Sequence, residues 1–330
     1  MRLGIYLTFP LIFTCGITLA FHSPWTHTAR ASSFKTKPLT SPINSPSLRP
    51  SANINNPSSS STSLNSTPIF GDIIQSLFRF EGQVPFTQAL LLNAFLFGSL
   101  RPKLFKMLTP PGFANAFILG TGLWATLGWR GWSLCVLYLF LGQAVTKVRF
   151  AEKEKKGIAE GRGGRRGPEN VWGSAATGLA CAICSVQGTT GTFLGISSHL
   201  YRLGYVASIA TKLADTFASE IGKAFGKTTF LITTFERVDP GTEGAVSAEG
   251  TAASVLGGLL IALYGYSISL ITRPGIAIAT IAAFLATNIE SLIGATLQNK
   301  EGLSFMTNEV VNFINTLFGA AIAIIIGKIL

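Results

Sequence analysis

Charged and polar side chains recur within a stretch of small and apolar residues at positions 212–227. Asp215, Ser219 and Gly222 are spaced i, i+4 and i+7, which predicts that they share one face of a helix. Glu220 lies about 140° from Asp215 around such a helix. The two carboxylates can therefore serve one site only if the helix is surrounded or broken.

Lysines accompany these carboxylates. Lys212 precedes Asp215 by three residues. Lys223 and Lys227 are spaced i, i+4, which predicts that they share a helical face. A nucleotide site requires carboxylates for Mg²⁺ and cations for phosphates, so the segment predicts a site of that kind. The alternative is a buried ion-pair network that only joins two helices.

A polar connection at 236–251 contains four acidic residues, one basic residue and three glycines. A loop that contains glycine can bring backbone N–H groups up to a phosphate. The candidate phosphate contacts in this loop are Arg237, Gly241 and Thr242. Glu243 and Glu249 are candidate carboxylates for a metal ion that bridges phosphates. A solvated loop without a role in binding remains the alternative.

Polar residues also interrupt two apolar runs near the carboxyl end. Asn288 and Glu290 lie in one run, and Asn308, Asn312 and Asn315 recur at i, i+4 and i+7 in the last. A polar stripe is disfavoured in contact with lipid, so we expect it to face the interior of a helix bundle. These side chains either line a site or join helices by hydrogen bonds, and the pattern favours neither.

The elements that position these residues are those of a membrane protein. Of the 330 residues, 48% are hydrophobic and 12% are charged, about half the charged share of a soluble domain. Mean hydropathy is +0.43. We therefore predict an all-α, polytopic integral membrane helix bundle with about seven transmembrane helices, between six and eight. The apolar runs are 84–100, 112–129, 131–148, 171–186, 250–271, 274–297 and 305–330, with 189–226 forming one broken helix or two.

Composition and motifs exclude several classes of protein. A soluble Rossmann enzyme, a disordered scaffold and a secreted disulfide-rich module do not fit such an apolar chain. The sequence contains neither a G-x-x-x-x-G-K-[ST] phosphate loop nor the G-x-G-x-x-G pattern. His199 is the single histidine after position 68, so zinc held by histidines and Ser-His-Asp hydrolysis both lack residues.

Positive charge is concentrated in one loop. The net charge is +11, and positions 147–166 hold eight basic and three acidic residues. We name 147–170 the basic loop and predict a solvated, flexible connection that sets membrane topology by the positive-inside rule. No nucleic-acid partner is predicted.

The amino terminus has the pattern of a two-part leader. Residues 1–20 predict a signal peptide, with a first transmembrane anchor as the alternative. Residues 21–68 contain thirteen Ser and no Asp or Glu, which predicts a disordered transit peptide. The junction of Ala20 with Phe21 resembles that of algal leaders for plastids behind extra membranes, so we expect a plastid membrane location. The polytopic catalytic domain is then 69–330.

Four segments, 212–227, 237–251, 288–298 and 308–316, together resemble the signature of one integral membrane family. That family includes transmembrane protein 19 and the phytyl-phosphate kinases of plastids and cyanobacteria. The most specific stretch is 240–247, and the loop at 157–174 is similar to the photosynthetic branch. The resemblance implies phosphate transfer from a nucleoside triphosphate to phytyl monophosphate. The product, phytyl diphosphate, would serve tocopherol and phylloquinone synthesis from salvaged phytol.

The resemblance favours a donor, and the chemistry of the reaction then gives a hypothesis for the role of each site residue. The stretch 215–227 resembles CTP-using lipid kinases, so CTP is the favoured donor, with Mg²⁺ as cofactor. The expected metal ligands are Asp215, Glu243 and Glu249. The residues expected to neutralise phosphate are Lys212, Lys223, Lys227 and Arg237. The residues expected to orient head groups are Glu220, Asn288, Glu290, Asn308 and Asn312.

Two other functions remain open at this point. One is a transporter or flippase that moves an anionic lipid along the same polar residues. The other is a kinase or CTP-dependent transferase acting on free phytol or a polyprenol, which would need a carboxylate or His199 to deprotonate the hydroxyl. Under each alternative the lipid bilayer is a partner, and the sequence does not specify an oligomeric state.

Overall fold

The computed structural model describes residues 82–187, 192–298 and 302–330. The predicted signal peptide and transit peptide lie outside these ranges.

Helices make up most of the described chain, and seven of them have 20 residues or more. The long helices are α1 (Phe86–Met107), α2 (Pro110–Lys147), α4 (Pro168–Gln187), α5 (Ser198–Phe225), α6 (Ala248–Ser267), α7 (Arg273–Leu297) and α8 (Asn308–Ile329). A short helix, α3 (Phe150–Lys155), and a 3₁₀ turn (Gly161–Gly164) lie in the basic loop. The strands form two antiparallel hairpins, β1 (Thr192–Phe193) with β2 (Ile196–Ser197) and β3 (Phe230–Leu231) with β4 (Ala245–Val246). The predicted all-α class is confirmed.

Three helices in the described ranges are long and apolar enough to cross a membrane, namely α6, α7 and α8. These three do not by themselves confirm the predicted total of about seven spans. Helix α5 is longer than any of them, but it carries Arg202, Lys212, Asp215, Glu220 and Lys223. Charges of this kind are buried in a membrane protein only where other protein groups compensate them.

Helix α2 reverses direction at Gly128. A straight helix of its 38 residues would be about 57 Å long. Yet both of its ends contact one short segment, since Thr109 N–H donates to the Arg166 carbonyl at 3.0 Å and Lys147 Nζ to the Gly163 carbonyl at 2.8 Å. Gly128 allows the turn because its φ of 61° and ψ of −151° are not helical. The two predicted runs, 112–129 and 131–148, are therefore the two arms of a helical hairpin.

Helix α1 continues through Pro102, where the sequence predicts an end. Proline removes one hydrogen bond of a helix and normally breaks it. Here Leu104 and Met107, beyond the proline, are buried in an apolar cluster that includes Phe97 and Phe113. This packing outweighs the local cost of the proline.

Helix α5 forms the centre of the bundle. It packs against α2, α4, α6, α7 and α8, and its residues from Leu203 to Thr216 are all buried. The helix is unbroken from Ser198 to Phe225, so the expectation of one broken helix or two helices in 189–226 is wrong over this range. A helix surrounded on all sides has no face for solvent, so its polar side chains must find partners within the protein.

Glycine allows α6 to approach the backbone of α5. A Cβ placed on Gly257 would lie 2.9 Å from the carbonyl oxygen of Leu213. Neither backbone can move aside without shifting a whole helix. The position of α6, and of the loop before it, therefore depends on a residue without a side chain at 257.

We predict that Gly257→Ala lowers the free energy of unfolding by about 1–3 kcal/mol because of overpacking. Gly98→Ala in α1 is the matched control, since a Cβ there has no neighbour within 4 Å and alanine is the better helix former. Thermal unfolding in detergent measures both. Equal melting temperatures for the two variants would contradict close packing of α5 and α6.

Candidate functional site

A polar cavity of about 260 Å³ lies where the carboxyl-terminal part of α5 meets the basic loop. Helices α4, α6, α7 and α8 and the connection 226–247 complete its wall. Most of the residues that line it have polar or charged side chains. The folded chain thus gathers the separated polar segments of the sequence around one space.

Eleven of the fourteen predicted site residues line this cavity. They are Lys212, Asp215, Glu220, Lys223, Gly241, Thr242, Glu243, Asn288, Glu290, Asn308 and Asn312. Asp215 and Glu220 both face it although they point about 140° apart around α5. The helix is surrounded rather than broken, so the cavity wraps around its last turns.

Lys212 is the centre of a hydrogen-bonded network at the cavity wall. Lys212 Nζ donates to Asp215 Oδ2 at 2.5 Å and to Asn312 Oδ1 at 2.7 Å. Lys212 is buried, and this ion pair with an amide partner compensates its charge. Asn312 of α8 therefore both joins two helices and lines the site, the two alternatives that its spacing left open. Asn308 also lines the site, whereas Asn315 is buried and its amide has no hydrogen-bond partner among the described residues.

Glu220 forms a buried ion pair that the sequence did not indicate. Lys153 Nζ of α3 donates to Glu220 Oε2 and, at 2.9 Å, to the carbonyl oxygen of Thr146. The exposed fraction of the Lys153 side chain is 1%, although the basic loop was predicted to be solvated and flexible. That prediction is wrong at this residue, because a buried carboxylate requires a counter-ion.

The connection after α5 reaches into the cavity through a tight turn. Gly244 has a φ of +75°, and a Cβ on it would lie 2.4 Å from Ala295 Cβ and 2.6 Å from the Ser291 carbonyl oxygen of α7. Only glycine satisfies both the left-handed conformation and the close packing. This turn places the neighbouring Glu243 at the cavity wall.

Three predicted residues lie outside the cavity wall. Helix α5 ends at Phe225, so Lys227 is exposed beyond it and does not share a helical face with Lys223. Arg237 is exposed in the connection. Glu249 lies in the first turn of α6, where its Oε1 accepts from the Lys227 backbone N–H at 3.4 Å and its charge suits the helix dipole.

Carboxylates outnumber cations around the cavity. Five acidic residues line it, Glu160, Asp215, Glu220, Glu243 and Glu290, against three basic ones, Arg166, Lys212 and Lys223. Partial loss of hydration raises the pKa of Glu243, Lys223 opposes that rise, and Asp215 adds to it. Such a wall accepts a polyphosphate only together with a cation of high charge.

No group of three or more His, Cys, Asp or Glu residues in the described ranges could hold a metal ion by itself. The predicted set of Asp215, Glu243 and Glu249 is therefore not assembled, since only the first two line the cavity. Mg²⁺ in phosphoryl-transfer sites is usually held by one or two carboxylates plus the substrate phosphates. The carboxylates of this wall fit that mode of binding.

Arg166 is a wall residue that the sequence did not single out. Its Nη1 donates to the Tyr138 hydroxyl at 3.1 Å, and its guanidinium carbon lies 5.5 Å from the centre of that ring. Asn170 and Ser174 of α4 join the wall beside it. The run of arginines before Pro168, at the start of α4, was the available signal, but it was interpreted only as a determinant of topology.

A family model described as integral membrane protein DUF92 matches residues 93–320. This chain belongs to that family. The resemblance found in the sequence is thereby confirmed, and so is the membrane class. No solved structure matches the chain.

Three relatives illustrate the range of the family. The chain is 52% identical over 254 residues to the uncharacterized membrane protein sll0875 of Synechocystis sp., covering 76% of this chain and 95% of that protein. It is 46% identical over 234 residues to protein VTE6, chloroplastic, of Arabidopsis thaliana, covering 71% and 69%. Similarity extends to the uncharacterized membrane protein MJ0933 of Methanocaldococcus jannaschii, 32% identical over 222 residues, or 67% and 86%.

We predict that Lys153→Met destabilises the protein by about 3–5 kcal/mol, because Glu220 is then buried without a counter-ion. The double variant Lys153→Met with Glu220→Gln should recover much of that loss, since it removes both charges. Melting temperatures of the two single variants and the double variant measure the coupling. Additive losses would show that the two side chains do not interact.

We predict that Gly244→Ala exposes the connection to trypsin, which can cleave after the exposed Arg237. The left-handed conformation costs alanine about 1–2 kcal/mol, and the contacts with α7 add to that cost. Gly302→Ala is the matched control, because its φ is +83° but a Cβ there has no neighbour within 4 Å. Equal cleavage rates at Arg237 in both variants would show that packing on α7 does not hold the connection.

Proposed function

We propose that this protein is a membrane kinase that transfers the terminal phosphate of a nucleoside triphosphate to phytyl monophosphate, giving phytyl diphosphate. The observation that carries the proposal is the polar cavity, in which carboxylates and cations from four separate segments meet inside a helix bundle. The sequence resemblance to phytyl-phosphate kinases supports this reaction, and the 46% identity to the chloroplastic protein VTE6 supports a plastid setting for it. A lipid substrate suits a site that lies between membrane helices.

The reaction requires positioning and charge neutralisation more than proton transfer. The attacking phosphate oxygen is ionised near neutral pH, so no strong base is needed. Phosphoryl transfer requires the attacking oxygen and the leaving oxygen to lie in line on either side of the transferred phosphorus. The negative charge on the phosphates must be neutralised at the same time. Lys212, Lys223 and Arg166 supply positive charge at the wall. Gly241 also lines the cavity, where its backbone N–H can approach a phosphate, whereas the Thr242 N–H donates to the Asp239 carbonyl oxygen at 3.2 Å.

A magnesium ion fits the carboxylates of the wall. Asp215 and Glu243 would hold it, with Glu290 as a third acidic residue on the same cavity. When bound, Mg²⁺ would neutralise the charge on the phosphates of the nucleotide. Compared with the expectation from sequence, the carboxylates near the metal include Glu290 instead of Glu249. The cations near the phosphates include Arg166 instead of Lys227 and Arg237.

The nucleotide would enter from the side of the basic loop, because Glu160 and Arg166 of that loop line the cavity. By the positive-inside rule, a basic loop stays on the side of the membrane from which the protein is inserted, so the nucleotide would bind on that side. A plastid membrane is the proposed location, since VTE6 is chloroplastic and the amino terminus has the composition of a leader. CTP is the proposed donor on the strength of the resemblance at 215–227.

We predict that Asp215→Asn lowers turnover by at least about 100-fold, because it removes a carboxylate that would hold Mg²⁺ at the reacting phosphates. Asp239→Asn is the matched control, as Asp239 is exposed in the same connection as Glu243 but does not line the cavity. Membranes containing the full chain are given phytyl monophosphate, Mg²⁺ and each labelled triphosphate in turn. Labelled phytyl diphosphate measures activity, and a melting temperature establishes that each variant is folded.

Other outcomes would assign other functions. Label that is incorporated only from free phytol would identify an alcohol kinase. Movement of phytyl phosphate across vesicles without nucleotide would identify a transporter. Full activity of Asp215→Asn would remove this residue from the proposed mechanism.

A further inference from the structure

An apolar groove adjoins the polar cavity between α1, both arms of α2, and α4. Its wall is almost entirely hydrocarbon, with Phe97, Leu104, Ala116, Leu123 and Leu139 among the lining side chains. Along α1 and its end, the lining residues run from Phe97 to Leu108, about 16 Å at the rise of a helix. A hydrocarbon chain can lie extended over that distance within one leaflet.

The groove and the polar cavity share three wall residues, Arg166, Asn170 and Ser174. Tyr138 connects two of them, because its hydroxyl donates to Ser174 Oγ at 3.1 Å and accepts from Arg166 Nη1 at 3.1 Å. The two spaces therefore adjoin at these residues, with a sharp change from polar to apolar lining. Ligand sites of this form bind molecules that have a charged end and a hydrocarbon end.

Arg166 has the position and the free charge to bind an anion at this boundary. None of the ion pairs in the described ranges joins Arg166 to a carboxylate. Its Nε is buried and has no hydrogen-bond partner among the described residues. A guanidinium with unused donors favours a phosphate, which it can contact through two N–H groups.

We propose that the groove binds the isoprenoid chain of a lipid monophosphate while Arg166 binds the phosphate at the boundary. The proposal rests on the proposed function and specifies how its lipid substrate is held. The chain is an isoprenoid tail rather than a membrane acyl chain, because the groove adjoins the cavity in which the phosphate of the proposed substrate must react. Each methylene buried in the groove strengthens binding about fourfold, so tail length determines affinity.

Kinetics with two chain lengths test the groove. Ala116→Phe places a ring in the groove, and Ala114→Phe, an exposed position on the same helix, is the matched control. The full-length variants are given phytyl monophosphate or the five-carbon dimethylallyl monophosphate. We expect Ala116→Phe to raise the KM for phytyl monophosphate at least tenfold and to leave that for the short substrate within about twofold. An unchanged ratio of the two KM values in an active enzyme would overturn the groove but not the kinase.

Photo-crosslinking tests binding without catalysis. The full chain in lipid nanodiscs is illuminated with a twenty-carbon isoprenyl monophosphate that carries a diazirine at the end of its tail. We expect labelled peptides from α1, α2 and α4, competition by phytyl monophosphate, and at least a fivefold loss of label in Ala116→Phe but not in Ala114→Phe. Label confined to the outer faces of α6, α7 and α8 would overturn the proposal. Groove labelling in a protein without kinase activity would support the groove and reject the proposed function.

Discussion

Charge buried within a membrane helix bundle must be compensated by the protein itself, and the structure is organised around that requirement. Helix α5 carries Lys212, Asp215 and Glu220 through the centre of the molecule. Asn312 of α8 accepts a hydrogen bond from Lys212, and Lys153 of the basic loop forms an ion pair with Glu220. The elements that supply partners for the charges of α5 also enclose the polar cavity. The same contacts therefore stabilise the bundle and shape the site.

The enclosure also separates two environments. Small residues let α6 approach α5 closely, which keeps the cavity narrow, while the arms of α2 leave an apolar space beside it. Arg166 and Tyr138 lie where the two spaces meet. A reaction between a water-soluble nucleotide and a membrane lipid needs such a boundary, because neither reactant dissolves in the other's surroundings.

The sequence predicted helices and most cavity residues because charges such as Asp215 and amides such as Asn312 stand out in apolar runs. It could not distinguish cations that contact the bundle from solvated ones within a loop full of cations, so it does not single out Lys153 or Arg166. Lys227 was placed on a helix because spacing alone does not show where α5 ends. The continuation of α1 through Pro102 depends on tertiary contacts that no local pattern contains.

The ion pair between Lys153 and Glu220 joins residues 67 positions apart. Synthesis proceeds from the amino terminus, so the lysine emerges before the carboxylate that it neutralises. When α5 packs into the bundle, Glu220 finds its counter-ion already made and need not remain alone in hydrocarbon. The order of the two residues along the chain thus means that the carboxylate is never made before its counter-ion.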